Sequence, residues 1–176
     1  LKEIFQDTIS RSGTKVAEPL QVAEPLQEVV SSPTHLVLVS GEAGVGKTRL
    51  IREFKYHIQV NKIPFFSTNC YEHTTNPYQP LIDLLNQIIY YLEPINKNII
   101  IKYAPVLLKN NILGIDKEYL KDISEAPELT PDREKIRLID TITRFLFDAS
   151  TVMPLVLFID NIQWGDELII ELINHI

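Results

Sequence analysis

"HLVLVSGEAGVGKTRLIREF", residues 35–54, is the stretch that decides the fold. Leu36 to Val39 form an apolar run without polar alternation, which predicts a strand over residues 35–40 buried on both faces. The run passes directly into GEAGVGKT, which fits G-x-x-x-x-G-K-[ST] with Gly41, Gly46, Lys47 and Thr48 at the fixed places. Leu50, Ile51, Phe54 and Ile58 then recur at helical spacing among Arg and Lys, predicting an amphipathic helix over residues 48–60. Strand, glycine-rich turn and helix in this order make a phosphate cradle. Glycines let successive backbone N–H groups turn inward around phosphate oxygens, and the positive end of the helix faces the same anion.

Upstream, VAEPLQVAEPLQ repeats one hexapeptide twice, Val16 to Gln21 and Val22 to Gln27. The units are too short and too proline-marked for a solenoid, so residues 1–34 read as a linker carrying a duplication. Residues 35–176 read as the domain proper. Downstream, IPFFSTNC, residues 63–70, predicts a second buried strand, and YEHTTNPYQP a loop in which Tyr78 is a turn anchor. Leu81, Ile82, Leu84, Leu85, Ile88, Ile89 and Leu92 predict a deeply buried helix over residues 78–93, followed by a helical insert over about 96–123. Thr130 as N-cap, Pro131 at the first helical position and Asp132 in the first turn predict the start of another helix. PLVLFID, residues 154–160, predicts a third buried strand, and Asp166 caps a last helix.

The third strand ends on a carboxylate. An acid leaving the carboxyl edge of a sheet downstream of a phosphate loop is placed to take the magnesium ion that accompanies nucleotide phosphates. In the same pattern Lys47 is a point charge for the β- and γ-phosphates, and the Thr48 hydroxyl a second magnesium ligand.

Composition narrows the alternatives. Of 176 residues 45% are apolar, enough for a sizeable core, and the net charge of −6 includes no basic run, which disfavours direct contact with nucleic acid. No apolar stretch approaches the ~20 residues that span a bilayer. Cys70 is the only cysteine, which excludes a disulfide framework and fits a cytoplasmic setting. It reads as a small buried residue. His35, His57, His73 and His175 lack ligand spacing and read as surface or packing residues.

LVLVSGEAGVGKTRLI, NPYQPL and PLVLFIDNIQWGDELIIELI, in this order, resemble the AAA-related module of signal-transduction ATPases with numerous domains, as found in large bacterial kinase and regulator chains. The resemblance covers residues 35–176, and QWGD after the strand is its most selective part. It implies an α/β fold: a P-loop NTPase three-layer sandwich with a mostly parallel sheet. It also implies an ATP- and magnesium-binding module that acts as a nucleotide-dependent switch, partnered by kinase or regulator domains of the same larger chain. Gln163, Trp164 and Asp166 match the family pattern, although Trp164 reads as a packing residue. The phosphate-binding set is Gly41, Glu42, Ala43, Gly44, Val45, Gly46, Lys47, Thr48 and Arg49. Thr48 and Asp160 are the metal ligands, and Lys47, Asp160 and Asn161 the catalytic positions.

Three departures from the family stand out. Its Gly-Arg-Glu motif, some 20 to 30 residues before the phosphate strand and implied to help hold adenine, is replaced by the repeat. Asn161 stands where the family carries Asp, so hydrolysis is expected to be slow. The family's sensor strand and lid follow its Walker B strand and would lie beyond Ile176, so the isolated chain is expected to be poorly stable, with unpaired inner strand edges. A non-catalytic interaction scaffold that keeps the motif without binding nucleotide is the alternative reading, and a DNA-loading ATPase would need a basic appendage that this acidic chain lacks.

Overall fold

The computed structural model describes residues 34–72, 76, 78–113 and 118–176, with the backbone alone at Glu118. The tandem repeat and His73 lie outside the described residues. The chain divides into two compact units, one running to Lys62 and the other covering Ile63–Ile176.

In the first unit a glycine-rich turn leads into helix α1, Lys47–Val60, within a residue of the expected start. Residues 35–40 are not the buried strand that their apolar run predicts. Leu36 and Leu38 are each 76% exposed, and the segment has no place in the sheet. An extended segment becomes a strand only when a neighbour takes up its backbone groups, and among the described residues none does.

The second unit is built on two parallel strands, β1 (Phe65–Asn69) and β2 (Val156–Asp160). The long connection between them holds helix α2 (Gln79–Lys109), a 3₁₀ turn at Glu118–Leu120 and helix α3 (Pro131–Val152), as a parallel crossover requires. After β2 come a 3₁₀ turn at Ile162–Trp164 and helix α4, Glu167–His175.

Helix α2 joins the expected helix and part of the expected insert. Pro94 lies inside it and Asn96 leaves helical geometry at φ −155° and ψ 84°, so the continuous helix is kinked there. Asn96 caps the segment that follows, its Oδ1 accepting the Asn98 N–H at 3.2 Å. Helix α3 begins as its sequence predicts, with Thr130 in extended geometry and Pro131, Asp132 and Glu134 in the first turn, although the Thr130 side chain makes no capping bond. At α4 the cap is realised, since Asp166 Oδ1 accepts the Ile169 N–H at 3.0 Å.

Helix α2 packs on β1 and on α3, and α3 packs on α4. Leu85, Ile88, Ile142 and Phe145 are fully buried at the centre, with the Tyr103 ring edge-on to Phe145 at 5.9 Å. Lys102 Nζ and the Tyr103 hydroxyl both donate to Asp148, at 2.8 and 2.7 Å, tying α2 to α3 at the rim of this core.

The strands are half-buried, which corrects the expectation of strands buried on both faces. Phe66 and Cys70 of one strand region, with Leu155 and Ile159 of the other, pack into the core, whereas Leu157 is 37% exposed. Helices of this unit cover one face only. On the other face Phe65 stacks on Phe158 at 6.1 Å. Along β1 burial alternates from residue to residue, whereas along β2 it does not, and apolar side chains on both faces gave the sequence no means of displaying either pattern.

Candidate nucleotide site

The glycine-rich turn and the tips of the two strands belong to different units, so each has its own geometry. In the turn, Gly44 and Gly46 have φ of 82° and 102°, values that a side chain with Cβ rarely adopts. Space is not the constraint, because a Cβ at either glycine would meet nothing within 4 Å. Gly46 takes the N-cap position of α1 and offers no side-chain acceptor, and α1 has no acid in its first turn. The orphan amides and positive end of this helix thus meet no protein carboxylate of their own first turn.

Lys47 folds back across the turn. Its Nζ donates to the carbonyl oxygens of Gly41 at 2.7 Å and Glu42 at 2.9 Å, which fixes the ammonium over the loop. Thr48 and Arg49 follow in the exposed first turn of the helix.

In the second unit the strands are paired in register, Phe65 with Val156 through to Asn69 with Asp160. Both strands therefore end on a polar residue at one sheet edge. Asp160 is exposed, and its Oδ1 accepts the Asn161 backbone N–H at 2.9 Å. Asn161 takes the left-handed conformation, φ 53° and ψ 42°, which turns the chain sharply off the strand and starts the 3₁₀ turn. Asn is among the few residues other than Gly that tolerate it.

That turn aims the Asn161 side chain across the ladder. Its Nδ2 donates to Asn69 Oδ1 at 2.8 Å, and its Oδ1 receives a longer bond of 3.4 Å from Gln163 Nε2. Asn69 is a contact that sequence reasoning missed. Its signal was present, since FFSTN and VLFID are apolar runs that each end on a short polar side chain. Gln163, which had no derived role, sits against Asn161. Trp164 is 45% exposed on the 3₁₀ turn, outside the core that its expected packing role would require, because the backbone has already left the sheet.

Cys70 is buried, as expected, and its thiol is pushed up first by burial and then by the negative charges of Asp166 and Asp160. His35 and His175 are exposed and His57 is half-buried. Among the described residues no three His, Cys, Asp or Glu side chains come together as a metal site, and no helix is long and apolar enough to cross a membrane.

A family model described as AAA ATPase domain matches residues 19–175. The chain belongs to the AAA ATPase domain family. No curated protein and no solved structure matches the chain. An AAA ATPase domain has the P-loop NTPase α/β fold and binds nucleotide, generally with magnesium. The two-stranded parallel sheet with its crossover helices is consistent with that fold. The donors suit such a metal, because Asp160 offers a hard carboxylate and Thr48 a hard hydroxyl, both exposed. Magnesium is commonly held by one or two carboxylates together with phosphates and water, hard oxygen donors of the kind that each of these residues carries in its own unit.

Proposed function

We propose that this AAA ATPase domain binds ATP with magnesium and serves as a slow, nucleotide-dependent switch in a cytoplasmic multidomain signalling protein. Residues 41–49 hold the phosphates, with Lys47 over the β- and γ-phosphates. Thr48 and Asp160 are the magnesium ligands. The observation that carries the reading is the start of α1, where a left-handed Gly46 cap, a helix end without a carboxylate in its first turn and the Lys47 ammonium converge. Backbone amides at such a helix start bind phosphate oxygens without any specialised side chain.

Bound magnesium would supply charge neutralisation of the phosphates. The chain's own residues supply the rest: the loop amides and Lys47 orient the γ-phosphate, and Asn161 holds a water by hydrogen bonding without accepting its proton. An amide has no useful basicity, and a general base contributes typically ~10²- to 10⁴-fold in rate, which is why turnover is slow in this reading. The three-layer sandwich of the family would add further strands beside β2.

The test is equilibrium binding of ATP, with and without magnesium, to the native chain and to Lys47→Ala. Native binding that strengthens with magnesium and falls at least about tenfold in Lys47→Ala supports the proposal. Equally poor binding by both forms would return the protein to the scaffold class.

A further inference from the structure

The outer edge of β1 carries a plug. In a parallel pair alternate residues direct both N–H and C=O toward the same side, so a five-residue strand shows its odd and even positions to opposite neighbours. Cys70, in step with Phe66 and Thr68, donates its N–H to the Asp160 carbonyl at 3.0 Å, which places the even set toward β2. Ser67, at the centre of β1, therefore faces outward. Its outward groups are both taken by one side chain from α2: Gln87 Oε1 accepts the Ser67 N–H at 3.2 Å, and Gln87 Nε2 donates to the Ser67 carbonyl at 2.9 Å. A third bond, Gln87 Nε2 to the Asp83 carbonyl at 3.0 Å, holds the amide to its own helix.

We propose that Gln87 closes the outer edge of the sheet against strand addition by a second copy of this chain. A primary amide presents one acceptor and one donor side by side, which is what an incoming strand would offer to Ser67. The second copy is the natural competitor because the edge is self-complementary. Two β1 strands set antiparallel about a twofold axis at Ser67 would exchange both Ser67 bonds, with Phe66 opposite Thr68 and Phe65 opposite Asn69. FFSTN carries no charge and no proline that would block such pairing, and it leads with two aromatic residues.

The experiment compares the native chain with Gln87→Ala and Gln87→Met, following the Ser67 amide by hydrogen exchange and association by sedimentation equilibrium. Either substitution should lower Ser67 protection at least about tenfold in dilute solution. Protection should return as concentration rises, together with a dimer that the native chain does not form at the same concentration. Adding Ser67→Pro to Gln87→Ala removes the outward donor and keeps the Phe66 and Thr68 amides that face β2, a change that an edge strand tolerates, and should abolish that dimer. Unchanged Ser67 exchange, unchanged association, or a dimer that survives Ser67→Pro would each overturn the proposal. Loss of folding in both Gln87 variants would also overturn it, by making Gln87 a stability element and not an edge guard.

Discussion

The side-chain amide of Asn161 reaches over the end of the sheet and donates to Asn69 Oδ1 at 2.8 Å, joining the tips of the two strands that pair as Asn69 and Asp160. Neither amide can take a proton, so this pair of side chains offers hydrogen bonds but no base.

Asn161→Asp should therefore raise ATP turnover by at least about tenfold while affinity changes little, since the substitution supplies a base and leaves Lys47 and Asp160 in place. Asp tolerates the left-handed backbone at this position, and the Asn69 amide can turn to donate to the new carboxylate. Steady-state kcat and equilibrium affinity separate the two effects. A native chain that already hydrolyses ATP as fast as the variant would show that the acid is not the limiting group.

Gly46→Ala should weaken ATP binding without removing α1. The cost comes from φ 102° and not from crowding, because a Cβ there meets nothing within 4 Å. A left-handed residue with a Cβ costs about 1–2 kcal/mol, which corresponds to roughly 5- to 30-fold in affinity if the loop has to keep this shape to bind. Unaltered affinity would show that the cradle does not need this conformation.

Reading the sequence worked best where local chemistry sets the structure. Pro131 and the acids after it define the start of α3 whatever packs nearby, and Asp166 bonds an amide three residues away. It failed where a residue's fate depends on a distant neighbour. Leu36 to Val39 looks like a buried strand, but burial and pairing require partners that no local pattern specifies. The same holds within β2, where Leu157 is as apolar as Ile159 on the same face, yet Leu157 is exposed and Ile159 packs against the core. At the candidate site, the glycine-rich turn into α1 was legible because its residues are contiguous. Asn69 was not, because its connection to Asn161 exists only once two remote strands pair in register.

Asp166→Asn should leave the cap of α4 in place and change the pH dependence of stability. Burial pushes the Asp166 carboxyl above its ordinary 3.8, against the lowering effect of the Ile169 and Leu168 amides. An acid whose folded value is raised contributes stability that is full below the unfolded value and lost as pH rises through the folded one. Asn caps a helix about as well as Asp and does not ionise. Relative to the native chain, the variant should thus gain in Tm as pH is raised from about 3.5 to 7. A Tm difference independent of pH would contradict this.

Glu134→Gln should have the opposite signature. The Arg137 hydrogen bond, outweighing burial and aided by Asn110, just past the end of α2, and by Lys109 within it, holds the Glu134 carboxyl below its ordinary 4.5. Its contribution is present above the unfolded value and lost as pH falls through the lowered one. The native chain should exceed the variant in Tm at neutral pH, and the gap should close on acidification below about pH 4. A gap that persists in acid would show that the ion pairs are not its source.

The in-register ladder also determines which changes in chain length this edge can survive. Side chains along a strand alternate between faces, so one residue added within β2 ahead of Asp160 would swing that carboxylate to the face of Ile159 and part it from Asn69. A residue added in the exposed stretch before Pro131 shifts the numbering of everything after it, but the pairing of the strands can stay as it is. The position of the acid is indexed by rungs of the ladder, and the length of the crossover is left open to variation.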